Sequence, residues 1–334
     1  MTVWPRLTLG RMVAVLLILL AVLAATLVLG VAFGVESVDW HAVWLPGTAD
    51  HAIVIGVRLA RVLLAALVGC GLATSGVTFQ SLLRNPMADP YVLGVSAGAA
   101  ISATIAIKAG AGSAPLLPAW AFLGALAAVG LVFAVGQVRG RLVPTVALLA
   151  GVVFNAFAGG VIVALAFTGK GGTEEVMLWL VGTLSSPTWG ALLALAIWTA
   201  LGIGALVFLS PRMNALALGE EGAHSVGVNV ARTRLAMFLA ASLLTGAAVA
   251  VAGPIGFVGM VVPHALRLLL GPDHRLLVPA SALGGAIFLT LCDGIARLAF
   301  VRLGSEVPVG VLTALVGGPL FLVLLWRRRG QRLF

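Results

Sequence analysis

The feature that most limits what this chain can fold into is a train of apolar runs joined by short polar turns. The runs fall at 12–34, 53–83, 91–107, 120–138, 145–167, 189–209, 235–252, 253–270, 277–300 and 309–326. Crossing a bilayer as a helix takes about 20 apolar residues, and most of these runs reach or approach that length. Only 9% of the 334 residues are charged, where soluble domains carry about 25%. The chain therefore reads as an all-α polytopic membrane protein with about ten transmembrane helices, forming one domain over 1–334. Its 42 glycines suit close helix packing in lipid. The first run exceeds the apolar core of about 7–15 residues found in signal peptides, so it reads as a retained span. Cys70 and Cys292 both fall inside apolar runs, and no structural disulfide is expected from them.

The net charge of +9 is explained by loop composition and does not call for a nucleic-acid partner. With ten spans, both chain ends share a side. That side receives Arg6, Arg11, Arg84, Arg139, Arg141, Arg212, Arg232, Arg234, Arg267, Arg275, Arg327, Arg328, Arg329 and Arg332. The other receives Arg58, Arg61, Lys108, Lys170, Arg297 and Arg302. Fourteen of the 20 basic residues on one side place both termini in the cytoplasm. The loop 168–188 is then periplasmic, with a short amphipathic helix over 174–184. The polar stretch 210–234 is cytoplasmic.

One run departs from a plain lipid-facing helix. Gly253, Pro254, Gly256 and Pro263 interrupt it, and His264 and Arg267 lie at its far end. Such breaks persist in a bilayer only where protein or a water-filled cavity satisfies the freed backbone groups. The count of spans assigns Gly253–Pro254 to the outer turn between the seventh and eighth helices, leaving Gly256, Gly259 and Pro263 to need a packed environment.

Chemical motifs are sparse. Gly94-Val95-Ser96-Ala97-Gly98 fits G-x-S-x-G, but a nucleophile elbow needs a strand-to-helix turn and partner groups. An intramembrane serine hydrolase using Ser96 and His264 is the minor alternative. Gly169-Lys170 lacks the remainder of a phosphate loop, so the chain does not read as an ATPase. No His/Cys/Asp/Glu set has metal-ligand spacing, so no metal site or bound cofactor is expected on this chain, and any metal cargo arrives chelated. Arg58 and Arg61 are three apart and share a helix face. Asp293 lies one turn before Arg297 and can pair with it. An ion-coupled secondary transporter would need ionisable groups within the membrane, and Asp293 is its only candidate.

Arg84-Asn85-Pro86-Met87-Ala88-Asp89-Pro90, followed by Tyr91-Val92-Leu93-Gly94-Val95-Ser96-Ala97-Gly98-Ala99, resembles the signature of bacterial ABC importer permeases for iron-siderophores, haem and cobalamin, the FecCD type. Arg58-Leu59-Ala60-Arg61 is similar to that family's RLPR, with Ala60 in place of Pro. Leu218-Gly219-Glu220-Glu221-Gly222-Ala223-His224-Ser225-Val226-Gly227 is similar to its LGE loop, with Val226 in place of Leu. The run 253–267, Asp293 with Arg297, Glu306-Val307-Pro308-Val309-Gly310 and Gly317-Gly318-Pro319-Leu320-Phe321 continue the match in order.

The resemblance implies a type II ABC importer permease that works by alternating access, its pathway lined by the fifth and tenth helices. It implies a second permease subunit in a homodimer or related pair, two cytoplasmic ATPase subunits that use ATP, a periplasmic or lipid-anchored substrate-binding protein, and a metal-chelate cargo, with ferric siderophore as first choice. The cytoplasmic gate would use Asn85, Met87, Pro144 and Thr145, although Pro144 departs from the small polar residue usual there. Leu218, Gly219, Glu220, Glu221, Ala223 and Gly227 would belong to a pair of short coupling helices against the ATPase. Arg58, Arg61 and Arg297 would dock the binding protein. Asp293, His264 and Arg267 are given structural roles, the last two also a place in the coupling surface.

Overall fold

The computed structural model describes residues 7–34, 36–111, 116–138, 141–168, 172–184, 188–303 and 307–327. Arg6, Arg139, Lys170, Glu306 and the basic tail beyond Arg327 lie outside the described residues. The helices are α1 (Leu9–Ala32), α2 (Ala49–Leu82), α3 (Val95–Ala106), α4 (Leu117–Gly136), α5 (Pro144–Phe167), α6 (Thr173–Leu180), α7 (Trp189–Ala217), α8 (Glu220–Ser225), α9 (Val230–Ala252), α10 (Val258–Leu270), α11 (His274–Leu303) and α12 (Val309–Arg327). A two-residue hairpin, with Gln137 opposite Leu142 and Val138 opposite Arg141, precedes α5. Among the described residues, seven helices are long and apolar enough to cross a membrane, and the apolar helices in the third, eighth and tenth runs are shorter.

Sequence-coded caps set several boundaries. Thr8 Oγ1 accepts from Arg11 N at 3.3 Å to open α1, and Asn229 Oδ1 accepts from Arg232 N at 3.0 Å to open α9. Pro144 stands at the first position of α5, where its missing N–H costs nothing. Three boundaries differ from the sequence reading. Helix α7 runs through Pro211 to Ala217, and α9 begins at Val230. The polar stretch thereby contracts to 218–229, with one short helix, α8, where a pair was expected. The third run is helical only from Val95, after a tight turn at Pro90–Leu93.

Helix α2 forms the axis of the bundle. Nearly every residue from Ala60 to Leu82 is buried, against α11 on one side and α9 and α10 on others. Contact is at backbone distance: a Cβ on Gly69 would collide with the Gly285 carbonyl of α11, and one on Gly76 with the Gly259 carbonyl of α10. Such crossings are the expected packing mode in lipid, where small residues let backbones approach. Helix α1 is peripheral, with Leu17, Ile18 and Val28 exposed.

The connections segregate to two ends. At the end where α1 begins, called proximal here, Arg11 Nη2 donates to Leu270 O (3.0 Å), Arg84 Nη2 to Leu216 O (3.1 Å) and Asn214 Nδ2 to Asp273 Oδ1 (2.7 Å). At the distal end, Lys108 Nζ donates to Ala166 O (2.9 Å) and Arg297 Nη1 to Gly30 O (2.9 Å). Each bond joins segments that the alternating reading puts toward one side.

Candidate functional site

Three arrangements position the residues singled out in the sequence. The first is the break between α9 and α10. Gly253 has φ +69°, and Phe257, the residue before α10, has φ +70°, a left-handed value that is uncommon for a bulky side chain. The break is buried inside the bundle, with Ile255 wholly inaccessible.

Segments from both ends converge on the break. From the distal side, Thr183 N donates to Ala252 O (2.9 Å), and a Cβ on Gly253 would press on the Trp179 carbonyl. From the proximal side, the loop after α2 folds back inward. Ile255 N donates to Tyr91 Oη at 2.6 Å, and Gln80 Nε2 donates to Gly259 O and Met260 O at 3.3 and 3.2 Å. The Phe257 side chain packs on Gly317 of α12. Gly256, expected to need close packing, has open space around it, whereas Gly259 abuts Pro90 and Leu72.

The second arrangement is the inward-folding loop and its partners. Asn85 Oδ1 accepts from Met87 N (2.9 Å), and Asp89 Oδ1 accepts from Tyr91 N (2.9 Å), so each acid or amide shapes its own turn. Gly94 at φ +80° then turns the chain into α3 against Phe154. Asn85 and Met87 are exposed, as is Thr145, while Pro144 is half-buried. The bonds that tie the loop to α5 run deeper. Asn155 Nδ2 donates to Tyr91 O at 2.9 Å and Val92 O at 3.4 Å, and Gly151 lies against Val92 and Leu93. Asn155 and Gln80 were not singled out from sequence. The available signal was an amide inside an otherwise apolar run.

At the proximal surface, the α8 segment hangs between Gly219 (φ +102°) and Gly227 (φ +77°). Ala223 is its buried anchor, Glu220 pairs with Arg234 at 2.7 Å, and Glu221 is exposed. Leu218 and Val226 are 73% and 61% exposed, one on either flank of α8, which is a costly way to end a loop unless another surface covers them.

The third arrangement is distal. Asp293 is wholly buried, and its Oδ1 accepts from Arg61 Nε at 2.8 Å while its Oδ2 lies 3.0 Å from Arg297 Nε. Arg297 and Arg58 are both 6% exposed. Arg58 donates to the carbonyls of Val31, Ala32 and Glu36, and Arg297 to those of Gly30 and Phe33. The expected Asp293–Arg297 pair is present and gains Arg61. The three arginines proposed for docking are turned inward, where they fasten the end of α1 to α2 and α11.

His264 is 3% exposed and stacks edge-on with Phe321 of α12 at 6.0 Å, near the proximal end. Ser96 Oγ is buried without a hydrogen-bond partner among the described residues, so no base activates it. No group of three metal-ligating side chains occurs among the described residues.

Comparison with known proteins follows the same lines. The profile of the FecCD transport family matches residues 16–327. The chain is 42% identical over 340 residues to the hemin transport system permease protein HmuU of Yersinia pestis, covering 99% of this chain and 98% of that one. It is 42% identical over 290 residues to the cobalamin import system permease protein BtuC of Halobacterium salinarum, covering 86% and 77%. A solved structure described as an inward-facing conformation of a metal-chelate type ABC transporter superposes with a TM-score of 0.82 at 31% identity, over 95% of this chain and 99% of that one.

Proposed function

From the premise that this chain belongs to the FecCD transport family, we propose that it moves a metal chelate inward across the cytoplasmic membrane, with haem, ferric siderophore and cobalamin as the candidate cargoes. The chain is a permease subunit of an ATP-binding-cassette importer, not an enzyme, and it works with an ATPase and a substrate-binding protein. The single observation that carries the cargo class is the full-length similarity to permeases named for hemin and cobalamin.

Within that frame the two termini are cytoplasmic, and the proximal end faces the ATPase. The flanking exposed Leu218 and Val226 support α8 as the element that the ATPase grips. Movement of α8 would reach the pathway through the Leu216 carbonyl, Arg84 and the inward-folding loop, whose Tyr91 holds both α5 and the break before α10. Helix α5 supports a place at the subunit interface and pathway: Val153, Phe157 and Phe167 are exposed and nothing lies within 4 Å of a Cβ on Gly159 or Gly160. Helix α12 likewise exposes Leu315 and Leu322. We read this as pairing with a second copy. Asn85, Met87, Pro144 and Thr145 remain the proximal gate. Arg58, Arg61 and Arg297 would reach a binding protein only by leaving their present partners, so their first role in this reading is to fix α1 in place.

The cargo is tested by competition. The reconstituted importer, with the binding protein encoded beside it, takes up one labelled chelate, and unlabelled haem, ferric hydroxamate and cobalamin compete in turn. Competition by one of these assigns the cargo. Uptake of bare ferric iron with no chelate present would overturn the proposal.

A further inference from the structure

We propose that the proximal end carries a binding site for a phosphate-bearing anion, in the basic cavity between the inward-folding loop, α10 and the start of α11. The cavity encloses about 380 Å³, and Gln80, Arg84, His264, Arg267 and His274 line it. These side chains come from α2, the loop after it, α10 and α11, so the fold has gathered two guanidiniums and two imidazoles at one place. Among the described residues no Asp or Glu lines it. The nearest acid in sequence, Asp273, is already bonded to Asn214 and to Arg275.

Two buried groups point to a ligand. His274 is 6% exposed, and its Nδ1 lies 2.8 Å from Asn214 Oδ1. That oxygen also accepts from His274 N at 2.9 Å, so it is the acceptor in both bonds and Nδ1 carries the proton. With the proton on Nδ1, Nε2 is an acceptor, and it has no hydrogen-bond partner among the described residues. Gln80, 2% exposed, is held by its amide nitrogen on the carbonyls of Gly259 and Met260, while its Oε1 has no hydrogen-bond partner among the described residues. Buried polar atoms of this kind ordinarily find partners. A phosphate meets the guanidiniums with charge-assisted bonds, and hydroxyls beside the phosphate donate to His274 Nε2 and Gln80 Oε1. An anionic phospholipid headgroup and a soluble phosphate ester share that chemistry. Either would brace Arg84 against α10, the same Arg84 that holds the end of α7 before the α8 segment.

The test uses the purified full-length chain. Phosphatidylglycerol and phosphatidylcholine are titrated in native mass spectrometry, and glycerol 1-phosphate is followed by phosphorus NMR line broadening. The variants are Arg84→Gln with Arg267→Gln, and separately Ala217→Glu, which sets a carboxylate at the cavity edge from an exposed position. Arg212→Gln, stacked on Phe208 away from the cavity, is the charge control. Preferential phosphatidylglycerol binding that weakens at least about tenfold in both cavity variants, and not in the control, supports the site. Broadening of glycerol 1-phosphate assigns a soluble ligand, and its absence a lipid. If the double variant does not fold, Ala217→Glu decides. Binding that is unchanged in the cavity variants, equally weakened in the control, or absent for all probes overturns the proposal. So does a loss confined to ATPase association, which would make the cavity a protein-docking surface.

Discussion

Asp293→Asn is the substitution on which the distal cluster turns. The carboxylate has no solvent access and holds two guanidiniums at 2.8 and 3.0 Å. Arg61 and Arg297 thus depend on one buried acid, and backbone carbonyls supply further bonds to Arg297. Removing one partner of a buried ion pair costs about 3–5 kcal/mol, because the charge left behind stays desolvated. That is a large share of a total stability of about 5–15 kcal/mol. At roughly 2–4 °C per kcal/mol for a large chain, the melting temperature of the purified permease drops by roughly 6–20 °C. The assay is tryptophan fluorescence against temperature, with size-exclusion profiles to confirm dispersion. Replacing all three charges by apolar residues of similar volume, Arg61→Met, Asp293→Leu and Arg297→Met together, should recover most of the loss. An Asp293→Asn protein melting within about 2 °C of the parent, or a triple variant no better than the single one, would refute the structural role given to this cluster.

The Tyr91→Phe variant leaves the buried Ile255 N–H without its acceptor. A loss of about 1–3 kcal/mol is expected, read as a lower melting temperature. Gly76→Ala forces a methyl against the Gly259 carbonyl, so α2 and α10 must part at a cost of about 1–3 kcal/mol. Gly204→Ala, in α7 with open space around it, should be neutral or slightly stabilising; equal effects at the two sites would contradict the packing described. At the proximal surface, burial pushes the Asp273 carboxyl up, but hydrogen bonds from Arg275 and Asn214 outweigh it and hold the group below its ordinary value of 3.8. A depressed carboxylate adds stability above its unfolded pKa and loses it as pH falls. Melting temperature should therefore decline as pH is lowered through about 4, and Asp273→Asn should flatten part of that decline. A parallel decline in both proteins would show that Asp273 contributes nothing.

Much of this architecture is legible in the sequence because it depends on local chemistry. Apolar run length gives the helices, seven of which among the described residues are long and apolar enough to cross a membrane. Boundaries fail where tertiary packing overrides a local signal. The sixth apolar run reads as ending at 209, yet α7 continues through Pro211, with Met213 and Leu216 buried in the main core. The arginines at 58, 61 and 297 read as docking residues, since sequence does not say which face of α2 meets α11. The break at 253–257 is visible as a break, but not its partner Tyr91, which reaches it from more than 160 positions earlier in the chain. Asn155 and Gln80 carry the matching signal, being amides with no reason to sit in lipid.

The central claim is that this chain transports only when an ATPase drives it. Purified permease is reconstituted in proteoliposomes with its ATPase and binding protein, and uptake of labelled haem, ferric siderophore and cobalamin is followed with and without ATP. The account predicts uptake of at least one of these that requires ATP and all three components, and that is unaffected by collapsing proton and sodium gradients. Uptake by the permease alone, driven by an ion gradient and indifferent to ATP, would contradict it.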